Sequence, residues 1–411
     1  MTTSLEELIA VRDRFQQWLF EQAFPFWATT GCDGDQTDPA RLGAQEHLTR
    51  SGVPALPPFK RVRVQARQLF VFSWAALQGY TEAAQRAESI FRFLLRARRE
   101  DHGAWHGAWG RQLSRAGEML DPTADLYDLA FVVFALAWYG RLQNDSSVRE
   151  SVFYARKTLA WIDQEMSHPE GGFFNSLPKE NEEGQQNPHM HLLEAVLALY
   201  QTTGEKKDLD RAHALYDLFN TRFYDKQTGT LGEYFTPHWQ PAAGQAGQRV
   251  EPGHHFEWVW LLQAYQQATG IYTRPQAEAL YHFARRYGVV SPTESQSDDS
   301  QRASQVGLVR YAVSRQGSVL KETFRLWVQT ETLRGVLTHA SYADNPESDL
   351  AFAVIVGNNI LNRYFAPAPL GRWIEEYDHQ GNIIADRIPT SSMYHIVTAY
   401  DSLNKAVEGF V

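Results

Sequence analysis

The sequence contains one cysteine, Cys32, among 411 residues. A lone thiol can form neither a disulfide within the chain nor a cysteine-based metal site, so neither is predicted. The chain also has no basic cluster. Its 39 Lys and Arg residues against 48 Asp and Glu residues give a net charge of −9, and we therefore expect no nucleic-acid surface.

Long apolar runs are missing as well. No segment approaches the roughly 20 apolar residues that a membrane-spanning helix needs. The N-terminus "MTTSLEELIAVRDRF" has neither the basic part nor the apolar part of a signal peptide. The sequence thus predicts no membrane contact and a cytoplasmic location, and it leaves both a monomer and a homodimer open.

Strand signals are weak, whereas helical periodicity recurs along the chain. The pattern predicts twelve helices, at residues 5–24, 61–80, 81–98, 122–143, 146–166, 189–203, 207–223, 252–270, 272–288, 321–338, 344–364 and 390–405. Three of these have a proline at the predicted helix entry, at Pro122, Pro188 and Pro252, where its missing N–H costs nothing.

The predicted helices are of two alternating kinds. Amphipathic, charged helices alternate with helices that are apolar nearly all round, such as "DLYDLAFVVFALAWYG" from Asp125. Six such pairs have one compact arrangement, an all-α (α/α)6 barrel with six inner and six outer helices. We expect residues 1–411 to form a single barrel domain, with short β-hairpins in the long loops before the inner helices.

The inner helices also show an internal repeat. Residues near their starts recur at separations of 61 to 73 residues, at Arg67, Asp128, His191, His254, Trp327 and His395. In a ring of inner helices pointing the same way, the first turns converge on one pocket, and three of them carry a histidine. The further candidate residues close to these starts are Asn187, Glu194, Glu257 and Gln329.

These side chains suit proton transfer at neutral pH. Imidazole titrates near 6.5, so His191, His254 and His395 can act as base or acid, and Glu257, one turn after His254, can orient a histidine. Arg67 supplies a permanent charge for a developing enediolate oxygen. Such a set fits proton abstraction next to a sugar carbonyl.

Three other functions are open to the same residues. The His-x-x-Glu spacing of His191 and Glu194 reverses the Glu-x-x-His order of di-metal sites, so neither a metal nor another cofactor is predicted. Glycoside cleavage needs two opposed carboxylates but gives the histidines no role. Its acidic candidates are Asp125, Asp128, Glu194, Glu257 and Glu331. A carbohydrate-binding barrel without catalysis would not need the complete histidine set.

Several motifs resemble the N-acylglucosamine 2-epimerase superfamily, which includes cellobiose 2-epimerases, mannose isomerases and sulfoquinovose isomerases. The motifs are "QARQLFVFS", "DLYDLAFVVFALA", "NPHMHLLEA", "EPGHHFEWVWLL" and "MYHI", and they span the chain from Arg67 to His395. The resemblance implies an (α/α)6 barrel, a cofactor-free site and a cis-enediol mechanism. It also implies that His254 and His395 form the acid/base pair.

The stretch before the last histidine indicates a branch of that family. "RIPTSSMYH" has no tryptophan there, unlike the pattern of cellobiose epimerases, and it is more similar to monosaccharide isomerases. We therefore expect a small monosaccharide substrate, with interconversion of D-mannose and D-fructose and a related reaction of D-lyxose and D-xylulose. The alternatives are 2-epimerisation of mannose, cellobiose or N-acylglucosamine, and isomerisation of sulfoquinovose.

Overall fold

The computed structural model describes residues 3–33, 43–100, 103–143, 149–180, 183–292 and 305–410. Within these ranges twelve long helices alternate between an outer and an inner position. The outer helices are α1 (Thr3–Gln17), α3 (Ala83–Leu94), α5 (Glu150–Glu165), α7 (Lys207–Leu218), α9 (Arg274–Phe283) and α11 (Glu347–Asn359). The inner helices are α2 (Val62–Leu77), α4 (Leu126–Gly140), α6 (Gln186–Thr203), α8 (Pro252–Thr269), α10 (Leu326–Ala340) and α12 (Met393–Phe410).

The inner helices pack side by side in a closed ring. Each inner helix contacts the next inner helix along the chain, and α12 contacts α2, which closes the ring. Each outer helix from α3 to α11 packs on the inner helix that precedes it, whereas α1 packs on α11 and α12. Thirteen of the fifteen residues of the inner helix α4 are buried, whereas six of the twelve residues of the outer helix α3 are buried. This difference follows from the apolar sequence of α4 and the amphipathic sequence of α3. The predicted (α/α)6 barrel is therefore confirmed.

Short strands connect the helices around one rim of the barrel. Each inner helix is entered from a strand that pairs antiparallel with a strand of the following link. The six pairings are Phe59–Arg61 with Gln112–Ser114, Ala124–Asp125 with Ser176–Leu177, Gly184–Gln185 with Tyr234–Phe235, Arg249–Val250 with Ala312–Ser314, Thr323–Arg325 with Glu376–Asp378, and Arg387–Pro389 with His47–Thr49. Local hairpins occur too, as at Tyr224–Asp225 with Thr230–Leu231. The pairings between links hold the six inner-helix starts on one rim.

Some predicted helix boundaries were wrong. Helix α4 begins at Leu126 rather than at Pro122, because Ala124–Asp125 is a strand and the Asp125 side chain accepts a hydrogen bond from the Asp128 N–H at 3.1 Å. The start of α8 at Pro252 agrees with the prediction.

Four outer helices end in a π-helical turn that the sequence pattern did not predict. These turns are Trp18–Ala23, Phe219–Phe223, Ala284–Gly288 and Ile360–Phe365. Two short helices, Phe24–Thr29 and Gly244–Gln248, lie in the links. Across the described ranges, no helix combines the length and apolar character needed to cross a bilayer.

The inner helices α8 and α10 approach closely at Gly335. A Cβ atom at this position would lie 2.6 Å from the carbonyl oxygen of Phe256 and 2.7 Å from its Cβ. We expect Gly335→Ala to destabilise the protein by about 1–3 kcal/mol, because the backbones of two packed helices would have to move apart. The measurement is the midpoint of thermal unfolding.

The matched control is Gly409→Ala in α12, where a Cβ meets nothing within 4 Å. That change is expected to leave the stability unchanged or to raise it by up to about 1 kcal/mol, since alanine is the better helix former. Equal unfolding midpoints for the two variants would contradict the packing argument.

Candidate active site

A cavity of about 250 Å³ opens at the rim where the inner helices begin. Its walls bring together first-turn side chains of the inner helices and side chains of the rim links. The lining residues are Arg67, Tyr127, Gln185, Asn187, His191, Glu233, Tyr234, Glu251, His254, Glu257, Tyr311, Arg325, Trp327, Glu375, Pro389, Ser391, Ser392 and His395. All three predicted histidines therefore share one pocket.

His254 is held in its charged form. Its Nδ1–H donates to Glu233 Oε2 at 3.0 Å, and the Gln186 amide donates to the same oxygen at 2.9 Å. Burial alone would lower the pKa of His254, but the nearby carboxylates, Glu233 foremost and then Glu251, together outweigh burial and raise the pKa to about 10. His254 is thus an imidazolium at neutral pH, with Nε2–H left to donate.

His395 has the opposite protonation state. Burial lowers its pKa well below 6.5, and the nearby charge of Arg67 lowers it further. Its Nδ1 lies 2.6 Å from Glu331 Oε1. Because a neutral imidazole that donates from Nδ1 keeps a lone pair on Nε2, His395 is oriented as a base.

His191 is also neutral at pH 7, because burial lowers its pKa. Its Nδ1 donates to Glu194 Oε2 at 3.1 Å, and Glu257 Oε1 lies 3.9 Å away. The ring packs edge-on to Tyr127 at a centroid distance of 5.2 Å. His191 is therefore fixed on three sides at the cavity wall.

A buried polar layer closes the cavity from below. This layer, the floor, consists of Glu194, Glu257, Glu331, Arg334 and Tyr394. The Arg334 guanidinium donates to Glu194 at 3.1 Å and to Glu331 at 3.3 Å, and the Tyr394 hydroxyl donates to Glu194 at 2.6 Å. Below the floor a second cavity, of about 310 Å³, lies between Trp138, Trp260 and the far ends of the inner helices.

The surroundings of one carboxyl group of the floor favour its protonated form. Burial raises the pKa of Glu257 well above its usual range, and the carboxylates of Glu331 and Glu194 raise it further. Both of its oxygens are buried without a hydrogen-bond partner among the described residues. Since Glu257 lines the cavity, it is placed as a neutral donor toward a bound molecule.

Arg67 forms the cationic wall of the cavity. Its Nη2 donates to the Tyr127 hydroxyl at 2.5 Å, and its guanidinium lies 4.1 Å from the centroid of Phe131. Arg67 Nε and Asn187 Oδ1 are buried without a hydrogen-bond partner within the described ranges. A sugar hydroxyl or enediolate oxygen would satisfy such groups.

The sequence matches a known protein family over most of its length. The profile of N-acylglucosamine 2-epimerase (GlcNAc 2-epimerase) matches residues 43–399. The chain belongs to the N-acylglucosamine 2-epimerase family. It is therefore an enzyme of the sugar isomerase and epimerase class.

Individual relatives in the N-acylglucosamine 2-epimerase family bear different names. The chain is 29% identical over 395 residues to a mannose-6-phosphate isomerase of Rhizobium meliloti (strain 1021), covering 95% of this chain and 96% of that protein. It is 26% identical over 226 residues to a D-mannose isomerase of Thermobifida fusca, covering 52% and 54%. The solved cellobiose 2-epimerase of Spirochaeta thermophila DSM 6192 has a TM-score of 0.81 at 23% identity over 100% of both chains, which shows the shared fold.

Most residues predicted for the site lie at the cavity. Arg67, Asn187, Trp327 and the three histidines line it directly, and the Trp327 ring lies 5.1 Å from that of His254 and 5.8 Å from that of His395. The orienting partner predicted for His254 differs, however. Glu233 holds His254, whereas Glu257 lies next to His191.

Three predicted substrate-binding residues do not line the cavity. Glu194 lies in the floor. Asp128 forms an ion pair with Arg63 at 3.2 Å, and burial raises its pKa to about 7. The Gln329 amide forms hydrogen bonds with both backbone groups of Val309 at 2.9 Å and so anchors a rim link. Asp128 and Gln329 therefore shape the site from behind it.

Several cavity residues of this family member were not predicted. They are Tyr127, Gln185, Glu233, Tyr234, Glu251, Tyr311, Arg325, Glu375, Ser391 and Ser392. Most lie in or next to the rim strands. Tyr234 pairs with Gln185 across two links, for example, and this pairing brings Glu233 to His254. The sequence signal for Glu233 was its place after Gly232 in an aromatic-rich link.

A set of possible metal ligands spans the cavity wall and the floor. His191, Glu194 and Glu257 offer ligand atoms within 4.8 Å of one another. Glu194, however, already accepts hydrogen bonds from Arg334 and Tyr394. A metal ion would have to compete with a buried guanidinium for that carboxylate, so the donor set fits the hydrogen-bonded floor better.

Proposed function

We propose that this protein interconverts D-mannose and D-fructose by metal-independent proton transfer through a cis-enediol. One observation carries the proposal: two histidines of opposite protonation state line the same small cavity. His254 is cationic beside Glu233, and His395 is neutral beside Glu331. An acid and a base with separated pKa values are what an enolisation needs.

In the proposed reaction, His254 donates its Nε2 proton to the ring oxygen and the bond between C1 and that oxygen breaks. The proton of the O1 hydroxyl passes back to His254 Nε2 as the C1 carbonyl forms, so the pyranose opens and the acid is restored. His395 Nε2 then removes the proton from C2, and the C2 electrons form the C1–C2 double bond of the enediolate. Arg67 stabilises the enediolate oxygens, His191 Nε2 accepts a hydrogen bond from a substrate hydroxyl, and Glu257 donates to another hydroxyl. The O2 hydroxyl proton then moves to the neighbouring O1 as the C2 carbonyl forms, and the protonated His395 returns its proton to C1, which gives fructose and restores the neutral base.

The ion pair between His254 and Glu233 favours isomerisation over epimerisation. A 2-epimerase needs a second base on the opposite face of C2, because the reverse reaction must start from that face. The Glu233 carboxylate keeps His254 protonated up to a pKa of about 10, which suits an acid and disfavours a base. His395 can serve both C2 and C1 from one face.

Mannose 6-phosphate is a second candidate substrate, since the relative matched over 95% of the chain is named for it. The charges at the cavity favour the free sugar. Arg325 is paired with Glu375 at 3.5 Å and Arg249 with Glu251 at 2.8 Å. A phosphate dianion would therefore meet carboxylates next to each of these arginines, at a cost in Coulomb energy.

Proton NMR of the EDTA-treated protein with D-mannose in D2O tests the proposal. We expect fructose to form, with deuterium at C1, and glucose to form far more slowly. Glucose appearing as fast as fructose would assign a 2-epimerase instead. Absence of any exchange at C2 of mannose would overturn the substrate assignment.

We also expect kcat/KM for D-mannose to exceed that for D-mannose 6-phosphate by at least about tenfold, which corresponds to about 1.4 kcal/mol of transition-state binding. Coupled assays for fructose and fructose 6-phosphate give the two values. A ratio below one would assign the phosphorylated sugar as the substrate. Arg325 would then be the first phosphate ligand to test.

A further inference from the structure

A second group of metal-ligating side chains lies away from the active-site cavity. Glu278 and His282 are one turn apart on the outer helix α9, and His339 is at the end of the inner helix α10. Their ligand atoms lie within 4.8 Å of one another, and none of the three lines the active-site cavity. The group therefore bridges the outer and inner rings of the barrel.

The spacing of the three ligand atoms fits a tetrahedral ion. Glu278 Oε2 lies 3.0 Å from His339 Nε2 and 3.2 Å from His282 Nε2. Ligands about 2.0 Å from a tetrahedral Zn²⁺ are about 3.3 Å apart, so the two distances are close to those of a formed site. The side chain of His282 is 68% exposed, which leaves its ring free to rotate toward the ion.

The surroundings of His339 fix its ring as a ligand. Nδ1–H donates to Asp349 Oδ2 at 2.6 Å, and the Tyr281 hydroxyl donates to the other oxygen of the same carboxylate. The Tyr281 ring stacks on the imidazole at 3.8 Å and 5°. A carboxylate behind a histidine is the usual outer partner of a metal-bound imidazole, because it orients the ring and increases its basicity.

A polar group for a bound water lies beside the cluster. The Tyr342 hydroxyl is buried without a hydrogen-bond partner in the described part of the chain. The Tyr342 ring lies 5.2 Å from that of His339. Three protein ligands leave the fourth tetrahedral position to water, and a buried hydroxyl can hydrogen-bond that water.

We propose that Glu278, His282 and His339 bind one Zn²⁺ ion, with water as the fourth ligand. The ion ties the outer helix α9 to the inner helix α10, and Asp349 of α11 supports it from behind. The site stabilises the barrel and takes no part in the sugar chemistry. It does not depend on the proposed function.

Titration of the EDTA-treated and dialysed full chain with ZnCl2 tests this site. Isothermal titration calorimetry is expected to show one tight equivalent per chain. The Tm is expected to rise by about 3–5 °C at a free zinc concentration a hundred times the dissociation constant. His282→Asn is expected to weaken zinc binding at least tenfold and to abolish the rise in Tm, with metal-free isomerase activity unchanged.

The matched control is His238→Asn. His238 is an exposed histidine paired with Glu170, and no third ligand belongs to that pair in the described residues. Its replacement is expected to leave zinc binding as in the wild type. Zinc binding that survives His282→Asn and inhibits turnover would place the ion at His191, Glu194 and Glu257, and would overturn the proposal. A wild type without a zinc-dependent Tm shift would overturn it as well.

Discussion

His395→Asn is expected to lower kcat for mannose isomerisation by about 10²–10⁴-fold and to leave KM within a few-fold of the wild-type value. Asparagine keeps a donor for Glu331 but cannot take the C2 proton. The loss should therefore fall on the chemical step rather than on binding. Initial rates of fructose formation give kcat and KM, and proton NMR in D2O measures exchange at C2.

The control for that variant is His379→Asn, an exposed histidine in a rim link. It is expected to keep wild-type kinetics. An unchanged thermal midpoint for His395→Asn would exclude unfolding as the cause of its loss. If His395→Asn kept more than a few per cent of wild-type kcat, His395 would not be the base, and His191 would be the next histidine to test.

Glu233→Gln is expected to shift the alkaline limb of the pH–rate profile to lower pH by about 1–3 pH units. Glu233 is the main group that raises the pKa of His254 against the effect of burial. In the wild type His254 stays protonated below a pKa of about 10, so kcat should fall only as the pH rises through that value. Without the carboxylate, burial is less opposed, the pKa falls, and the acid is lost nearer neutrality.

The same variant should change the pH dependence of stability. The pKa of His254 is raised in the folded protein, so its contribution to the free energy of unfolding is fully present below about 6.5, the usual pKa of histidine. That contribution is lost as the pH rises through about 10. Unfolding midpoints measured from pH 6 to pH 10 should therefore decline in the wild type and change less in Glu233→Gln.

Glu251→Gln is the comparison for both measurements. Glu251 lies 3.8 Å from His254 Nδ1 and ranks after Glu233 among the groups that raise its pKa. Its removal is expected to shift the alkaline limb less. If the alkaline limb of the Glu233→Gln profile lay at the same pH as that of the wild type, a group other than His254 would control this limb.

The helical frame of the barrel was predictable because its signals are local. The apolar pattern of α4 and the proline at the start of α8 depend only on neighbouring residues. The rim strands are two or three residues long and pair with strands about 50 or more residues away, such as Ala124–Asp125 with Ser176–Leu177. Such pairing leaves no periodicity in the sequence.

The candidate site likewise has residues that the local sequence predicts and residues that it does not predict. The histidines repeat at inner-helix starts, so the sequence alone predicts that His191, His254 and His395 lie together. Their carboxylate partners are not all helix neighbours. Glu331 reaches His395 from another inner helix, and Glu233 reaches His254 from a link, so spacing along one helix pointed to Glu257 instead. Gln329 repeats near a helix start as well, yet its side chain turns outward to Val309.

The floor has a consequence for how molecules pass through the site. Arg334 and the glutamates around it separate the active-site cavity from the lower one, so the described residues offer no route along the barrel axis. Under the proposed function, mannose enters and fructose departs by the same mouth. Each ketose molecule must leave before the next aldose can enter, and accumulated product should therefore compete directly with substrate for the empty enzyme.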